Sequence, residues 1–216
     1  MDEKRMRFNF EARYYRSGVI TDSTREVWFV LHGYGQLARF FIRKFATLND
    51  RNICVIAPEG LSRFYLEQPT PRGRTDNRVG ATWMTRENRE TDILNYINYL
   101  DAVYAAEVRD RPVSVTVLGF SQGAATASRW LANNAIRCQR LILWSGIFPS
   151  DMPLDTVAPA LKETEVLFVY GTNDAYFSGS RLDEMKQLAK TYGVQYRTIQ
   201  FEGVHDIDES TLKSLT

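Results

Sequence analysis

Cysteine and histidine are scarce in this sequence, two of each among 216 residues, and the scarcity narrows the chemistry. Cys54 and Cys138 lie far apart in the chain, so they offer neither a disulfide framework nor a metal-ligand spacing. Both are expected to be ordinary buried or half-buried thiols. An excess of charge of one sign is missing too: 27 basic residues against 26 acidic leave a net charge of +1, and no long run of like charge occurs. This balance speaks against a nucleic-acid partner. All apolar runs fall well short of the roughly 20 residues that span a bilayer, so no stable membrane insertion is expected. The opening residues Met1-Asp2-Glu3-Lys4-Arg5 are charged and lead into no apolar h-region, which leaves no visible export signal and makes the cytoplasm the expected location. None of these features specifies an oligomeric state.

What is present is an α/β pattern. Length and an ordinary apolar share fit one domain over residues 1–216. Short β-branched runs predict buried strands at Val27 to Leu31, Ile53 to Ala57, Val113 to Leu118, Leu141 to Trp144, Val166 to Tyr170 and Gln195 to Phe201. The alternating stretch Arg7 to Tyr14 predicts an antiparallel edge strand. Leu37, Phe41, Phe45 and Leu48 keep helical spacing, as do Ile93, Ile97, Leu100 and Tyr104. Further helices are expected from Ser121 to Leu131, from about Arg181 to Tyr192, and after Asp208. Alternation of such strands and helices implies a mostly parallel central sheet covered on both faces, with no separate cap domain. The stretch between Pro58 and Thr85 has no clear periodicity, and a loop of that length in a compact domain is often functional.

Gly119-Phe120-Ser121-Gln122-Gly123 follows a strong strand and opens into a helix of small residues, the context that a G-x-S-x-G nucleophile elbow requires. Its glycines have a steric reason: side chains two residues either side of the serine would collide with the neighbouring strand and helix. The Gln122 backbone N–H would start the helix, where unpaired donors and the helix dipole favour negative charge. A second tight turn, His32-Gly33-Tyr34-Gly35, ends the strand Val27 to Leu31, and its Tyr34 N–H is the candidate second oxyanion donor.

With two histidines, the choice of base is narrow. His32 belongs to the glycine turn and reads as a buried residue that shapes it. His205 follows Glu202-Gly203-Val204 past a strand end, where its ring could reach across the sheet. Asp174, in Gly171-Thr172-Asn173-Asp174, also sits past a strand end, and the order Ser121, Asp174, His205 is that of α/β-hydrolases. An Asn-Asp pair is also ordinary turn chemistry. Asp151 and Asp155 are the reserve acids, and Asp206 is expected to be solvated. A triad of this kind needs neither metal nor organic cofactor.

Together, Leu31-His32-Gly33-Tyr34-Gly35, the Gly-Phe-Ser-Gln-Gly elbow, Ser145-Gly146, Tyr170-Gly171-Thr172-Asn173-Asp174 and Gly203-Val204-His205 resemble the carboxylesterase/phospholipase family of α/β-hydrolases, which includes acyl-protein thioesterases. The resemblance spans nearly the whole chain. It implies the α/β-hydrolase fold and a serine esterase or thioesterase acting on short to medium acyl chains of a small-molecule substrate. Gln36 and Met84 depart from it, standing where many relatives carry aspartate and phenylalanine.

Trp83, Phe148 and Tyr176 are the candidate substrate-binding residues, with Phe64, Tyr65, Leu66 and Phe177 as further walls of an apolar acyl site. Arg63, Arg72, Arg74 and Arg78 could favour an acidic leaving group or form a solvated charge run. Two other activities fit the same residues: peptide or lactone cleavage by the same triad, and binding without turnover on a hydrolase fold.

Overall fold

The computed structural model describes residues 1–67, 77–133, 135–177 and 179–216. Its elements run β1 (Tyr14–Ser17), β2 (Glu26–Leu31), α1 (Ala38–Phe41), a 3₁₀ helix (Ile42–Arg51), β3 (Ile53–Pro58), β4 (Ser62–Tyr65), β5 (Val79–Thr82), α2 (Arg89–Glu107) and β6 (Ser114–Phe120). They continue with α3 (Gln122–Ala132), β7 (Arg140–Trp144), α4 (Leu154–Leu161), β8 (Glu165–Gly171), α5 (Gly179–Thr191), β9 (Tyr196–Phe201) and α6 (Glu209–Ser214).

Seven strands form one sheet in the order β1-β3-β2-β6-β7-β8-β9, and β4 pairs with β5 in a separate antiparallel ribbon. Every pairing in the large sheet is parallel except β1 with β3. Side chains of a strand alternate between faces, and the alternation divides the core in two. Val27, Phe29 and Leu31 of β2 join one cluster with Leu100, Trp130 and Met185 from α2, α3 and α5. Trp28 and Val30 join the other with Phe41, Phe45 and Leu212, from α1, the 3₁₀ helix and α6. Strands buried on both faces need to be apolar throughout, which is why they were legible as continuous runs. β3 lies on one side of β2 and β6 on the other, so the winding reverses at β2. In open α/β sheets the crevice beyond the strand ends at such a reversal is where ligands bind.

Three expectations are corrected. The antiparallel edge strand exists, but at Tyr14–Ser17 rather than across Arg7 to Tyr14, and Phe8 and Phe10 remain exposed. Buried acids decide this register: Tyr14 Oη donates to Glu107 at 2.7 Å, Arg16 pairs with Glu107 at 3.0 Å, and Arg13 Nε donates to Glu59 at 2.7 Å. The helix expected from Leu37 to Leu48 is one α turn continued as a 3₁₀ helix that stops at Asn52, where φ is 57°. Three elements carried no readable period: α4, with Pro159 inside it, and the four-residue strands β4 and β5 within the stretch between Pro58 and Thr85, which the sequence predicts as a loop.

The chain closes on α6, as the residues after Asp208 predicted. Asp208 caps this helix by accepting the Thr211 backbone N–H at 2.7 Å, and hydrogen bonds from Thr211 and Ser210 hold its carboxyl below the usual range. A depressed carboxylate stabilises the fold above its unfolded pKa and loses that contribution as pH falls through the folded one. Asp208→Ala is therefore expected to lower stability by about 1 kcal/mol near neutral pH. Urea melts of both proteins should show this gap narrowing once the pH drops below the carboxylate's ordinary range.

Candidate active site

Ser121 stands between β6 and α3 with φ 53° and ψ −114°, a backbone conformation that a non-glycine residue adopts at a cost of about 1–3 kcal/mol. Its N–H donates to Trp144 O at 2.9 Å, and its carbonyl accepts the Ala124 N–H at 3.0 Å, so the turn is tied to β7 and to its own helix. The steric demand inferred from the sequence is present at both glycines. A β-carbon at Gly119 would lie 2.2 Å from Gly123 O, and one at Gly123 would lie 2.1 Å from Leu31 O.

The ends of β8 and β9 are zipped past the sheet by Thr172 N–H to Phe201 O and Asn173 N–H to Gly203 O, each 2.8 Å. This brings Asp174 and His205 together. The Asp174 side chain is fully buried; its Oδ1 accepts the Tyr176 N–H at 2.9 Å, and its two oxygens lie 2.9 and 2.8 Å from His205 Nδ1. With a carboxylate as partner, Nδ1 is assigned the proton of the neutral ring, which leaves Nε2 as an acceptor. The imidazole packs between Phe120 and Tyr176, each with its ring centroid 4.8 Å away. Phe120 immediately precedes Ser121, so the ring lies beside the elbow.

The backbone beyond His205 is held from both sides. Asp206 O accepts the Trp144 indole N–H at 2.9 Å, and the Asp206 carboxylate pairs with Lys44 at 2.7 Å. Asp206 is thus paired rather than merely solvated, and among the described residues no hydrogen bond joins its carboxylate to His205. Asp151 pairs with Arg89 and Arg129, and Asp155 lies in the first turn of α4; neither contacts His205.

His32 is completely buried, and burial lowers its pKa. Nδ1 donates to Gly33 O at 2.8 Å and Nε2 accepts the Gly60 N–H at 3.0 Å. With both ring nitrogens engaged, this histidine shapes the turn. Gly33 N–H donates to Gln36 Oε1 at 2.8 Å and Gln36 N–H to Gly33 O at 3.2 Å, which closes the turn around Tyr34. Among the described residues, neither the Tyr34 nor the Gln122 backbone N–H has a hydrogen-bond acceptor. Both cysteines are poor competitors as nucleophiles: desolvation pushes the thiol of Cys54 up to about 11 and that of Cys138 up to about 12.

The expected substrate-binding residues separate. Tyr176 is 76% exposed beside His205, and Tyr34 is exposed with its ring tilted against Phe64 at 5.1 Å. Tyr65 and Leu66 are also exposed. Trp83 is buried behind the glycine turn, its indole N–H donating to His32 O at 2.9 Å. Phe148 is buried against Phe168 and Tyr192 and belongs to the core, and Phe177 stacks on Tyr170. Interior packing took these two because the loops after β7 and β8 fold back onto the sheet. Arg63 faces Glu59 at 3.5 Å and Arg78 pairs with Glu67, while Arg72 and Arg74 lie outside the described residues. Sequence reasoning missed Thr82 and the Gln122 side chain, which meet each other near the two turns; the elbow motif pointed only to the Gln122 backbone, and no motif or period marked Thr82.

Among the described residues, no cluster of three or more His, Cys, Asp or Glu side chains is placed to hold a metal ion. No described helix is long and apolar enough to cross a membrane.

Residues 24–213 match a family model described as serine hydrolase (FSH1). No curated protein matches the chain. Among solved structures, acyl-protein thioesterase 2 of Zea mays is similar with a TM-score of 0.67 at 18% identity, over 95% of this chain and 96% of that one. Esterase PE8 is similar with a TM-score of 0.65 at 18% identity, over 95% of this chain and 96% of that one. An uncharacterised protein from Bacillus cereus ATCC 10987 has a TM-score of 0.67 at 16% identity, over 91% of this chain but 60% of its own. This chain therefore spans less than two thirds of that longer protein. Likeness at such identities establishes the α/β-hydrolase fold and leaves activity to be argued from the site.

The tight elbow makes a stability test available. Gly123→Ala drives a methyl group into the Leu31 carbonyl and should lower stability by about 1–3 kcal/mol or more. Gly179→Ala, with nothing within 4 Å of the added carbon, should be neutral or slightly stabilising in the same urea melts. Equal behaviour of the two variants would refute the contact.

Proposed function

The chain belongs to the FSH1 serine hydrolase family, and from that premise we propose that it cleaves carboxylic esters or thioesters of short to medium acyl chains through an acyl-enzyme on Ser121. The observation that carries this reading is the buried Asp174 carboxylate at 2.8 Å from His205 Nδ1, with the imidazole packed against Phe120, the residue before Ser121. In the proposed mechanism Asp174 holds the ring with its proton on Nδ1 and stabilises the imidazolium that forms. His205 Nε2 takes the Ser121 proton as Oγ attacks the acyl carbon. The Tyr34 and Gln122 backbone N–H groups then hold the oxyanion, and a donor of this kind contributes about 2.7–4 kcal/mol to the transition state. Collapse of the tetrahedral intermediate expels the alkoxide or thiolate, which takes the proton from His205. Water, deprotonated by the same ring, attacks the acyl-serine, and the ring returns that proton to the departing Ser121 Oγ as the acid is released.

The apolar border of the site supports an acyl substrate. Tyr176, Tyr34, Phe64 and Leu66 come from three separate segments and leave apolar surface at the mouth. We assign Tyr176 to substrate contact because it adjoins the base. Two free thiols, Cys54 and Cys138, suit work in a reducing cytoplasm.

Hydrolysis of p-nitrophenyl esters from acetate to octanoate tests the reading. Wild type should turn over and take one fluorophosphonate adduct, mapped to Ser121 by mass spectrometry, and Ser121→Ala should lose both. Asp174→Asn should lower kcat by about 10⁴. Absence of both turnover and adduct in the wild type would sink the hydrolytic assignment.

A further inference from the structure

The two proposed oxyanion donors come from separate turns, and β5 lies between them. We infer that β5 is a brace that sets the spacing of these donors, with Thr82, the Gln122 carboxamide and Gly80 as positioning residues; the inference rests on the oxyanion role proposed for Tyr34 and Gln122.

One side of the brace grips the Tyr34 turn. Gly35 N–H donates to Ala81 O at 2.9 Å, and Ala81 N–H donates to Gln36 O at 3.1 Å. The Trp83 indole N–H donates to His32 O at 2.9 Å. The turn is thereby bonded to β5 and Trp83 on both sides of Tyr34. The other side grips the elbow through the Gln122 side chain. Its Oε1 accepts the Trp83 backbone N–H at 3.2 Å, and its Nε2 donates to Thr82 Oγ1 at 2.9 Å and to Met84 O at 3.0 Å. The Thr82 hydroxyl in turn donates to Met84 O at 2.8 Å. All of the carboxamide's polar atoms are therefore engaged by residues 82 to 84. Thr82 and Trp83 are 2% and 1% exposed, and hydrogen bonds in so dry a setting hold their partners firmly.

Among the described residues, no hydrogen bond joins the turn 33–36 directly to Ser121 or Gln122, so polar coupling between the donors runs through β5. Steric contact locks the brace as well. A β-carbon at Gly80 would lie 2.5 Å from Gly35 O and 2.7 Å from its Cα, and one at Gly60 would lie 2.6 Å from Thr82 O. These are backbone-to-backbone approaches with no flexible side chain to yield. The arrangement matters because oxyanion donors act at about 2.7–3.1 Å from the developing charge. A displacement of about 1 Å can cost about a hundredfold in rate.

The test compares wild type with Thr82→Val, Thr82→Ser and Gly80→Ala. It reads kcat and KM on a p-nitrophenyl ester, thermal melting, and inhibition by an alkyl trifluoromethyl ketone. That probe adds to the nucleophilic serine and places an oxyanion between the donors. Thr82→Val should lower kcat about tenfold or more with KM nearly unchanged, and ketone affinity should weaken by a similar factor. Thr82→Ser keeps the hydroxyl and should restore both. Gly80→Ala should move the same two quantities in the same direction, and if it fails to fold the threonine pair decides alone. A Thr82→Val protein that melts early yet keeps wild-type kcat and ketone affinity would overturn the brace. So would a loss of kcat with ketone affinity intact. Wild-type turnover that survives Ser121→Ala would remove the oxyanion reading itself, a failure distinct from that of the brace.

Discussion

Gly123 rests against the Leu31 carbonyl, so close that an added β-carbon would fall 2.1 Å from the oxygen, and the layout of the site depends on this contact of backbone with backbone. It seats the first turn of α3 on the end of β2, where the sheet's winding reverses. Because β3, β2, β6, β7, β8 and β9 are parallel neighbours, their carboxyl ends share one edge, and β2, β6, β8 and β9 deliver Tyr34, Ser121, Asp174 and His205 to it. A looser junction would separate the serine from the turn without breaking any strand. The positive φ at Ser121 is tolerated because Trp144 O accepts its N–H from the adjacent strand, and Ser145, at φ 50°, is held likewise by Val169 O at 2.7 Å. Surroundings that over-determine a residue in this way are what allow strain of about 1–3 kcal/mol to persist.

Buried carboxylates extend that rigidity to the edge of the sheet. The Glu59 side chain is 1% exposed and meets Arg13 at 2.7 Å and Arg63 at 3.5 Å, and its other oxygen accepts the Ala38 N–H at 3.1 Å. One acid therefore links the residue just before β1 to the helix that leaves the glycine turn. Glu107 does similar work between α2 and β1 through Tyr14 and Arg16. In each pair the carboxylate is buried while the arginine side chain keeps 46% or 44% of its surface in solvent, so removing the arginine would leave a buried charge without its partner. These contacts order the chain around β1 and α2, while Lys44 with Asp206, and Trp144 with the Asp206 carbonyl, order it beside His205.

Much of this architecture was legible in the sequence because it obeys local rules. Doubly buried strands are apolar along their length, helices repeat their apolar residues every three or four positions, and a strained serine turn between strand and helix demands glycines on both sides. Asp174 and His205 could be nominated because each follows a strand end, in the order expected after Ser121. His32 could be set aside as the base from its place in the glycine turn, and its two engaged nitrogens give the physical basis.

Other features had no local signature. The edge strand settled on Tyr14–Ser17 because Glu59 and Glu107, distant in sequence, draw in Arg13, Tyr14 and Arg16, whereas among the described residues the stretch with Phe8 and Phe10 pairs with no strand. Phe148 and Trp83 carry side chains fit for a pocket wall, yet one packs into the core and the other behind His32. Between β2 and the elbow, β5 is too short for its period to be read, and the bonds of Thr82 to Gln122 span a separation that no motif covers. The sequence by itself determined the buried parallel strands, the helices α2, α3 and α5, the elbow and the identity of the titratable groups near it, since these follow from periodicity and local sterics. Only the tertiary structure decided which aromatics face solvent, where the edge strand pairs and how the two turns are joined, because those depend on contacts between residues that meet only when the chain is folded.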